Sequence, residues 1–198
     1  VTGVQTCALP IWAEAEVLGG GQYRLTRVLP RTSALRRPSR RGSGDALLAA
    51  NADFVLAVCA APSLLRAFAL PEWALEAARA AGLPAGLFVS HWDRLAPEEG
   101  DALARRLEPL RAELDSLAWG SALEPPAGLL PALRGKSVAV LGGPGCGKTA
   151  LIQRLAGVQA PLRPTTAVSL SQGPDGTLWL DTPGFRGEIG RASCRERV

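Results

Sequence analysis

A lysine and a threonine close the glycine-rich stretch Gly142-Gly143-Pro144-Gly145-Cys146-Gly147-Lys148-Thr149, with Ala150 following. Its spacing is G-x-x-x-x-G-K-[ST], in which each residue type has a task in holding phosphate. Glycines at 142, 145 and 147 let the backbone turn with its N–H groups facing inward. A helix opening near Lys148 points the positive end of its dipole into the same space. Lys148 supplies a point charge for β- and γ-phosphates, and the Thr149 hydroxyl is a hard oxygen for Mg²⁺. An apolar run, residues 137–141, precedes the motif and an amphipathic segment, residues 149–156, follows it. That is the strand, loop and helix setting a P-loop requires, and it outweighs the bland alternative of a glycine-rich turn.

Downstream, Asp181-Thr182-Pro183-Gly184 ends a short apolar run. Asp181 suits a Mg²⁺-linked carboxylate, and the Gly184 N–H suits a γ-phosphate sensor. D-x-x-G alone is common by chance; its place after a P-loop helix and a hairpin makes it specific. Between the two, Arg163-Pro164-Thr165-Thr166 offers hydroxyls, with Thr166 as a further Mg²⁺ ligand. Two upstream segments are suited to a base. Ser90-His91-Trp92-Asp93 ends an apolar run as N-K-x-D does, and Asp93 would accept the paired N–H donors of guanine, which adenine lacks. Ser121-Ala122, after the next run, would support that base from behind. Taken singly, Asp93 is an exposed loop acid and Ser121 a turn former; order and placement join them.

The elements that must carry these residues follow from periodicity. Residues 54–59 and 85–89 are continuous apolar strands, and residues 71–81 form a helix with Trp73, Leu75 and Ala78 at helical spacing. Leu103, Leu107, Leu110 and Leu114 predict a single helix over 102–117. Residues 117–119 then form a short strand, 128–133 a short helix, 137–141 the P-loop strand and 149–156 its helix. Residues 166–171 and 177–180 pair through a turn rich in Gly, Pro and Asp over 172–176. The expected fold is α/β, a doubly wound, mixed six-stranded sheet with one antiparallel pair. Residues 21–29 alternate as one exposed strand, and residues 31–44 are a linker rich in Arg, Ser and Pro.

Residues 1–12 and 188–198 resemble in-frame translations of short-read sequencing adapters. The expected organisation is therefore an artefact at 1–12, a β-domain remnant and basic linker at 13–44, the α/β domain at 45–187, and an artefact at 188–198. Of the net charge of +4, the last segment carries one unit and the first none. Distribution says more than the total. Arg24, Arg27, Arg31, Arg36, Arg37, Arg40 and Arg41 occur with no acid from residue 24 until Asp45, a run that serves RNA phosphates or is simply a solvated linker. Cys7 and Cys194 fall in the adapter-like ends, and Cys59 and Cys146 lack metal or redox spacing, so a reduced compartment is expected. No apolar run reaches membrane-spanning length.

Base loops first, P-loop next, then D-T-P-G: this order resembles the RsgA family of circularly permuted, ribosome small-subunit-dependent GTPases, over residues 24–187. Val28-Leu29-Pro30-Arg31 resembles the exit from that family's OB-like RNA-binding domain, and residues 49–53 its entry into the GTPase domain. The resemblance implies a cytoplasmic, monomeric, Mg²⁺-dependent GTP-binding and GTP-hydrolysing factor. Its partners would be the small (30S) ribosomal subunit and its rRNA during late maturation, with no DNA or membrane partner. A zinc-binding C-terminal domain is implied only beyond the residues present.

Three departures temper the transfer. Ser90-His91 stands for Asn-Lys, which is expected to remove the amide tying the base loop to the P-loop, at about 1–3 kcal/mol. Pro164 stands where the family has a histidine that is a candidate for positioning water, and Phe185 offers no polar group to the attacking water, as is usual in the family. His91 is the only histidine and belongs to the base loop. Slow or ribosome-dependent hydrolysis is expected. The competing readings are a nucleotide-switched RNA- or ribosome-binding module without turnover, and a P-loop ATPase of another class, against which Asp93 and the motif order stand.

Overall fold

The computed structural model describes residues 10–37, 46–129, 131–158 and 168–184. Strands β1 (Ala13–Gly19) and β2 (Gln22–Val28) form an antiparallel hairpin through glycines 19, 20 and 21, all at positive φ. Val17, Tyr23, Leu25 and Val28 on it are exposed. Strands β3 (Ala34–Arg37) and β4 (Ala46–Ala50) form a second antiparallel pair. The strand expected over 21–29 thus has a partner in β1, and part of the expected linker is strand β3.

The α/β portion runs β5 (Phe54–Ala60), α1 (Ala61–Arg66), α2 (Ala69–Ala80), β6 (Ala85–Ser90), α3 (Pro97–Leu107), β7 (Ser116–Trp119), β8 (Ser137–Gly142), α4 (Lys148–Ala156), β9 (Ser169–Gln172) and β10 (Leu178–Asp181). Its sheet has the order β7-β6-β5-β8-β10-β9, parallel throughout except for the β10–β9 pair. This is the mixed six-stranded sheet that the apolar runs predict. Side chains alternate along each strand, so β5 sends Val55, Ala57 and Cys59 into one core and Phe54, Leu56 and Val58 into the other. Helices α2 and α3 fill the first through Ala74, Leu75, Ala78, Leu103 and Leu107; α4 fills the second through Leu151, Ile152 and Ala156. Both faces are covered, which is why β5, β6 and β8 are apolar at nearly every position.

The helix expected over 102–117 is corrected in both directions. Pro97 and Glu99, whose carboxylate accepts from the Ala96 N–H at 3.0 Å, start α3 a turn earlier. Pro109 lacks an N–H, so the chain tightens into a 3₁₀ segment over Glu108–Ala112 and turns into β7. Where a helix is expected over 128–133, the described residues show a 3₁₀ turn, Ala127–Leu129.

Two polar residues anchor the entry to this domain. Asn51 is buried at φ 53°, a left-handed conformation that asparagine tolerates better than most side chains. Its Oδ1 accepts from the Thr32 N–H at 2.8 Å and its Nδ2 donates to the Pro10 carbonyl at 3.0 Å. Asp53 exchanges two bonds with Ser137, its own N–H donating at 2.7 Å and its carboxylate accepting at 2.8 Å. The start of β5 is thereby pinned to the start of the P-loop strand.

Candidate functional site

Strands β5, β6, β8 and β10 are mutually parallel, so Ala60, Ser90, Gly142 and Asp181 finish at the same edge of the sheet. In such folds the crevice beyond the carboxyl ends is where ligands sit. Gly142 has no room for a side chain: a Cβ there would collide with the Val58 carbonyl and lie 2.6 Å from Cys146 Sγ. Gly145 and Gly147 have φ of 71° and 87°, so the loop turns as the glycine spacing requires. Pro144 and Gly145 are exposed and Gly143 half-buried, while Cys146 is buried beneath the loop.

Lys148 is the first residue of α4 and is only 6 % exposed. Its Nζ donates to the carbonyls of Gly142 at 3.1 Å and Gly143 at 3.2 Å, so the ammonium lies across the loop. Among the described residues no carboxylate forms an ion pair with it. A buried cation held by neutral dipoles at a helix N-terminus is a fit for an anion with several acceptor oxygens.

Beside it, the Thr149 hydroxyl donates to Asp181 Oδ2 at 2.8 Å, and Asp181 is buried. A hydroxyl and a carboxylate brought together are hard oxygen donors. They fit Mg²⁺, which typically takes one or two protein ligands and completes its shell with phosphate and water. Thr182, fully buried, donates to the Val140 carbonyl at 2.7 Å and locks the turn after β10 onto β8. That brings Gly184 against the P-loop, where a Cβ would stand 3.1 Å from Pro144 N. Thr165, Thr166, Pro164 and Phe185 lie outside the described residues, as do Cys7 and Cys194. The described residues hold no cluster of three His, Cys, Asp or Glu that would seat a zinc ion.

The base-loop candidates reach the P-loop directly, which corrects the expectation drawn from the replaced asparagine. Ser90, fully buried at the end of β6, places its hydroxyl 2.6 Å from the Cys146 carbonyl and 3.3 Å from that of Cys59. His91, at φ 55°, has Nε2 3.2 Å from the Gly145 carbonyl and donates there in its Nε2–H form. Two successive P-loop carbonyls are thus held by two successive base-loop side chains; a hydroxyl and an imidazole replace an amide as donors. A Cβ on Gly147 would lie 3.2 Å from Ala122 and 3.9 Å from Ser90, so three loops converge on that glycine.

Asp93 is exposed within the 3₁₀ turn Trp92–Arg94, at the rim. Ser121 accepts the Leu123 N–H at 3.2 Å, Ala122 is buried, and the Leu123 carbonyl accepts from Arg154 of α4 at 3.1 Å. Four residues have structural tasks here that residue type does not announce: Thr182, Arg154 and the stacked pair Trp92–Trp119, with centroids 5.0 Å apart. Only Trp92, at the variable position of the base-loop pattern, had a placement from which its task could be suspected. Burial pushes the Cys146 thiol up, with Lys148 opposing, and raises Cys59 well above its ordinary value. Both are therefore thiols at neutral pH and poor nucleophiles. The two pack in different cores on opposite faces of the sheet.

The basic run is partly neutralised. Arg27 pairs with Glu14 at 2.5 Å and Arg24 with Glu16 at 3.5 Å, acids supplied by β1. Among the described helices none is long and apolar enough to cross a membrane.

A family model described as RsgA GTPase matches residues 28–189. The chain is similar in structure to YjeQ from Thermotoga maritima, with TM-score 0.71 and 22 % identity over 90 % of this chain and 61 % of that one. It is also similar to YloQ, a circularly permuted GTPase, with TM-score 0.63 and 21 % identity over 94 % of this chain and 60 % of that one. The chain thus spans about three fifths of the length of these solved structures. At such identities the likeness is one of fold. No curated protein sequence matches the chain.

Proposed function

The chain belongs to the RsgA GTPase family, and from that membership we propose that it binds guanine nucleotides, hydrolyses GTP and acts in maturation of the small ribosomal subunit. The observation that carries the reading is the buried Lys148 ammonium lying across a glycine loop, beside the Thr149–Asp181 pair.

In this reading the N–H groups at the start of α4 and Lys148 take the β- and γ-phosphates, and Lys148 exchanges two loop carbonyls for phosphate oxygens. Thr149 and Asp181, with Thr166, hold Mg²⁺, which when bound supplies positive charge to the phosphate oxygens. The Gly184 N–H faces the γ-phosphate. Asp93 accepts the two N–H donors of guanine while the Ser121–Ala122 loop backs the ring. Ser90 and His91 keep that base loop attached to the P-loop. Water attacks the γ-phosphorus, the bond to the bridging oxygen breaks, and GDP and inorganic phosphate leave. Neither Pro164 nor Phe185 offers a polar group to orient that water, so turnover is slow unless the ribosome supplies one. The family's association with the small subunit supports the assignment of rRNA as partner. Arg31 and Arg36, exposed in the entry segment, are available to phosphates. A monomer in the cytoplasm fits this role.

The test is calorimetric titration with Mg²⁺·GDP and Mg²⁺·ADP. GDP-selective binding that Lys148→Ala abolishes and Asp93→Asn makes unselective is expected, with GTP hydrolysis then stimulated by small subunits and lost in Asp181→Asn. Absence of binding by either nucleotide near millimolar concentration overturns the reading.

A further inference from the structure

Asp93 is aimed by its backbone alone. The carboxylate is exposed, and among the described residues no hydrogen bond or ion pair engages it. The turn that carries it is a single 3₁₀ turn closed by Arg94 N–H to His91 carbonyl and Leu95 N–H to Trp92 carbonyl, each at 3.1 Å. One such turn is weak by itself, because its hydrogen bonds are poorly aligned and open to water. It is also entered through His91 in the left-handed region, a conformation that needs support from its surroundings.

On the P-loop side that support is the His91 contact with the Gly145 carbonyl; on the side of β7 it is the Trp92 N–H donating to the Gly120 carbonyl at 3.5 Å and the Trp92 side chain. The half-buried Trp92 indole, next in sequence to Asp93, stacks on Trp119 with centroids 5.0 Å apart and planes 22° from parallel. It also packs against the first core and lies beside α3, where the backbone of Gly100 passes so close that a Cβ would touch the indole at 3.6 Å. Trp119 is the last residue of β7, and Gly120, Ser121 and Ala122 follow it directly. Gly120 in turn donates to the Val89 carbonyl at 3.0 Å. The two indoles therefore join the two loops between which a purine would lie: Trp92 stands one residue before the carboxylate, and Trp119 two residues before the backing serine. Stacked aromatic rings are stiff and have a preferred offset, so the pair fixes a spacing rather than merely filling space.

We propose that the Trp92–Trp119 stack is a positioning element that holds Asp93 at the right distance from the Ser121–Ala122 loop, and so sets selectivity for a purine carrying a 2-amino group. This rests on the guanine-nucleotide reading above. Loss of the stack leaves the proposed phosphate-binding residues in place, because Lys148 and Thr149 stand on α4 and Asp181 on β10. The consequence is specific: the affinity ratio between GDP and IDP, which lacks only the 2-amino donor, should collapse while binding through the phosphates survives.

The experiment titrates the full chain and its Trp92→Phe and Trp92→Leu variants with Mg²⁺·GDP and Mg²⁺·IDP. Melting temperature and the exciton couplet of the paired indoles in circular dichroism are recorded alongside. The unaltered chain is expected to prefer GDP by about tenfold or more. Trp92→Leu should lose the couplet and bring the ratio to within about threefold of unity, with IDP affinity within about twofold of the unaltered chain. Trp92→Phe should keep most of the preference. A Trp92→Leu protein that is folded and retains the full ratio, or weakens GDP and IDP equally, overturns the positioning role. If Trp92→Leu does not fold, Trp119→Leu, which removes the partner ring, carries the same comparison. An unaltered chain that binds neither nucleotide, or binds both alike, overturns the guanine reading instead.

Discussion

The Ser90 hydroxyl lies 2.6 Å from the carbonyl oxygen of Cys146, 56 residues further along the chain, and both residues are buried. The contact joins the end of β6, the strand before the proposed base-reading acid Asp93, to the middle of the glycine loop. In the proposed reading the base loop and the phosphate loop are thus joined along one seam. His91 extends that seam by one residue, to the Gly145 carbonyl.

Ser90→Ala tests how much that seam contributes. The substitution removes the donor but leaves the Cys146 carbonyl buried, so an unsatisfied acceptor is created at about 1–3 kcal/mol. Urea denaturation should show a lower midpoint with an unchanged slope. GDP affinity should fall by about tenfold, since the P-loop must then be ordered partly at the expense of binding. Unchanged stability and affinity together would mean that the His91–Gly145 bond holds the loops alone.

Asn51 offers a test of how the entry segment is attached. Its side chain bonds Thr32 and Pro10 on one side, and its backbone sits at φ 53°. Asn51→Ala loses all three side-chain bonds, two from Thr32 and one to Pro10, and forces alanine into the left-handed region, so a loss of about 2–4 kcal/mol is expected. Asn51→Gly loses the same bonds without the backbone strain and should be about 1 kcal/mol more stable than Asn51→Ala. Thermal unfolding of the two variants side by side checks the difference; equal stability would show that the left-handed backbone carries no cost here.

Legibility in the sequence followed how local each determinant is. The strands that carry the site, β5, β6, β8 and β10, were readable because a buried parallel sheet demands unbroken apolar runs, and Ser90, Gly142 and Asp181 each end one. Helix α3 was misjudged because Leu110 and Leu114 continue the spacing of Leu103 and Leu107 across Pro109, and periodicity cannot register one missing N–H. Strand β1 was missed because its Glu14, Ala15 and Glu16 are also good helix formers, and only pairing with β2 decides between the two. The tie made by Ser90 is hidden for a different reason. Whether a hydroxyl can replace an amide depends on the distance to a carbonyl 56 residues away, which no residue type reveals.

The two buried cysteines give a pH dependence whose sign is fixed. Burial is the largest cause at both sites, and it raises Cys59 well above the ordinary thiol value of 9.0 and Cys146 above it as well. Below that value both thiols are protonated in folded and unfolded chains alike, so they leave stability unchanged with pH. Above it the unfolded chain loses its thiol protons first, because the folded pKa is the higher one; the unfolded state then binds fewer protons and is favoured. Stability should therefore fall as pH rises from about 9, by as much as about 1.4 kcal/mol per pH unit for each thiol until the folded pKa is reached. Other groups titrate in the same range, so the informative quantity is the difference between the unaltered chain and Cys59→Ala. The variant lacks the more strongly raised thiol and starts less stable through the lost packing, yet its urea midpoint should decline less steeply between pH 9 and pH 10.5. Parallel declines would mean that Cys59 ionises as readily in the folded protein as in the unfolded chain, which its position in the core between the sheet and helices α1 and α2 argues against.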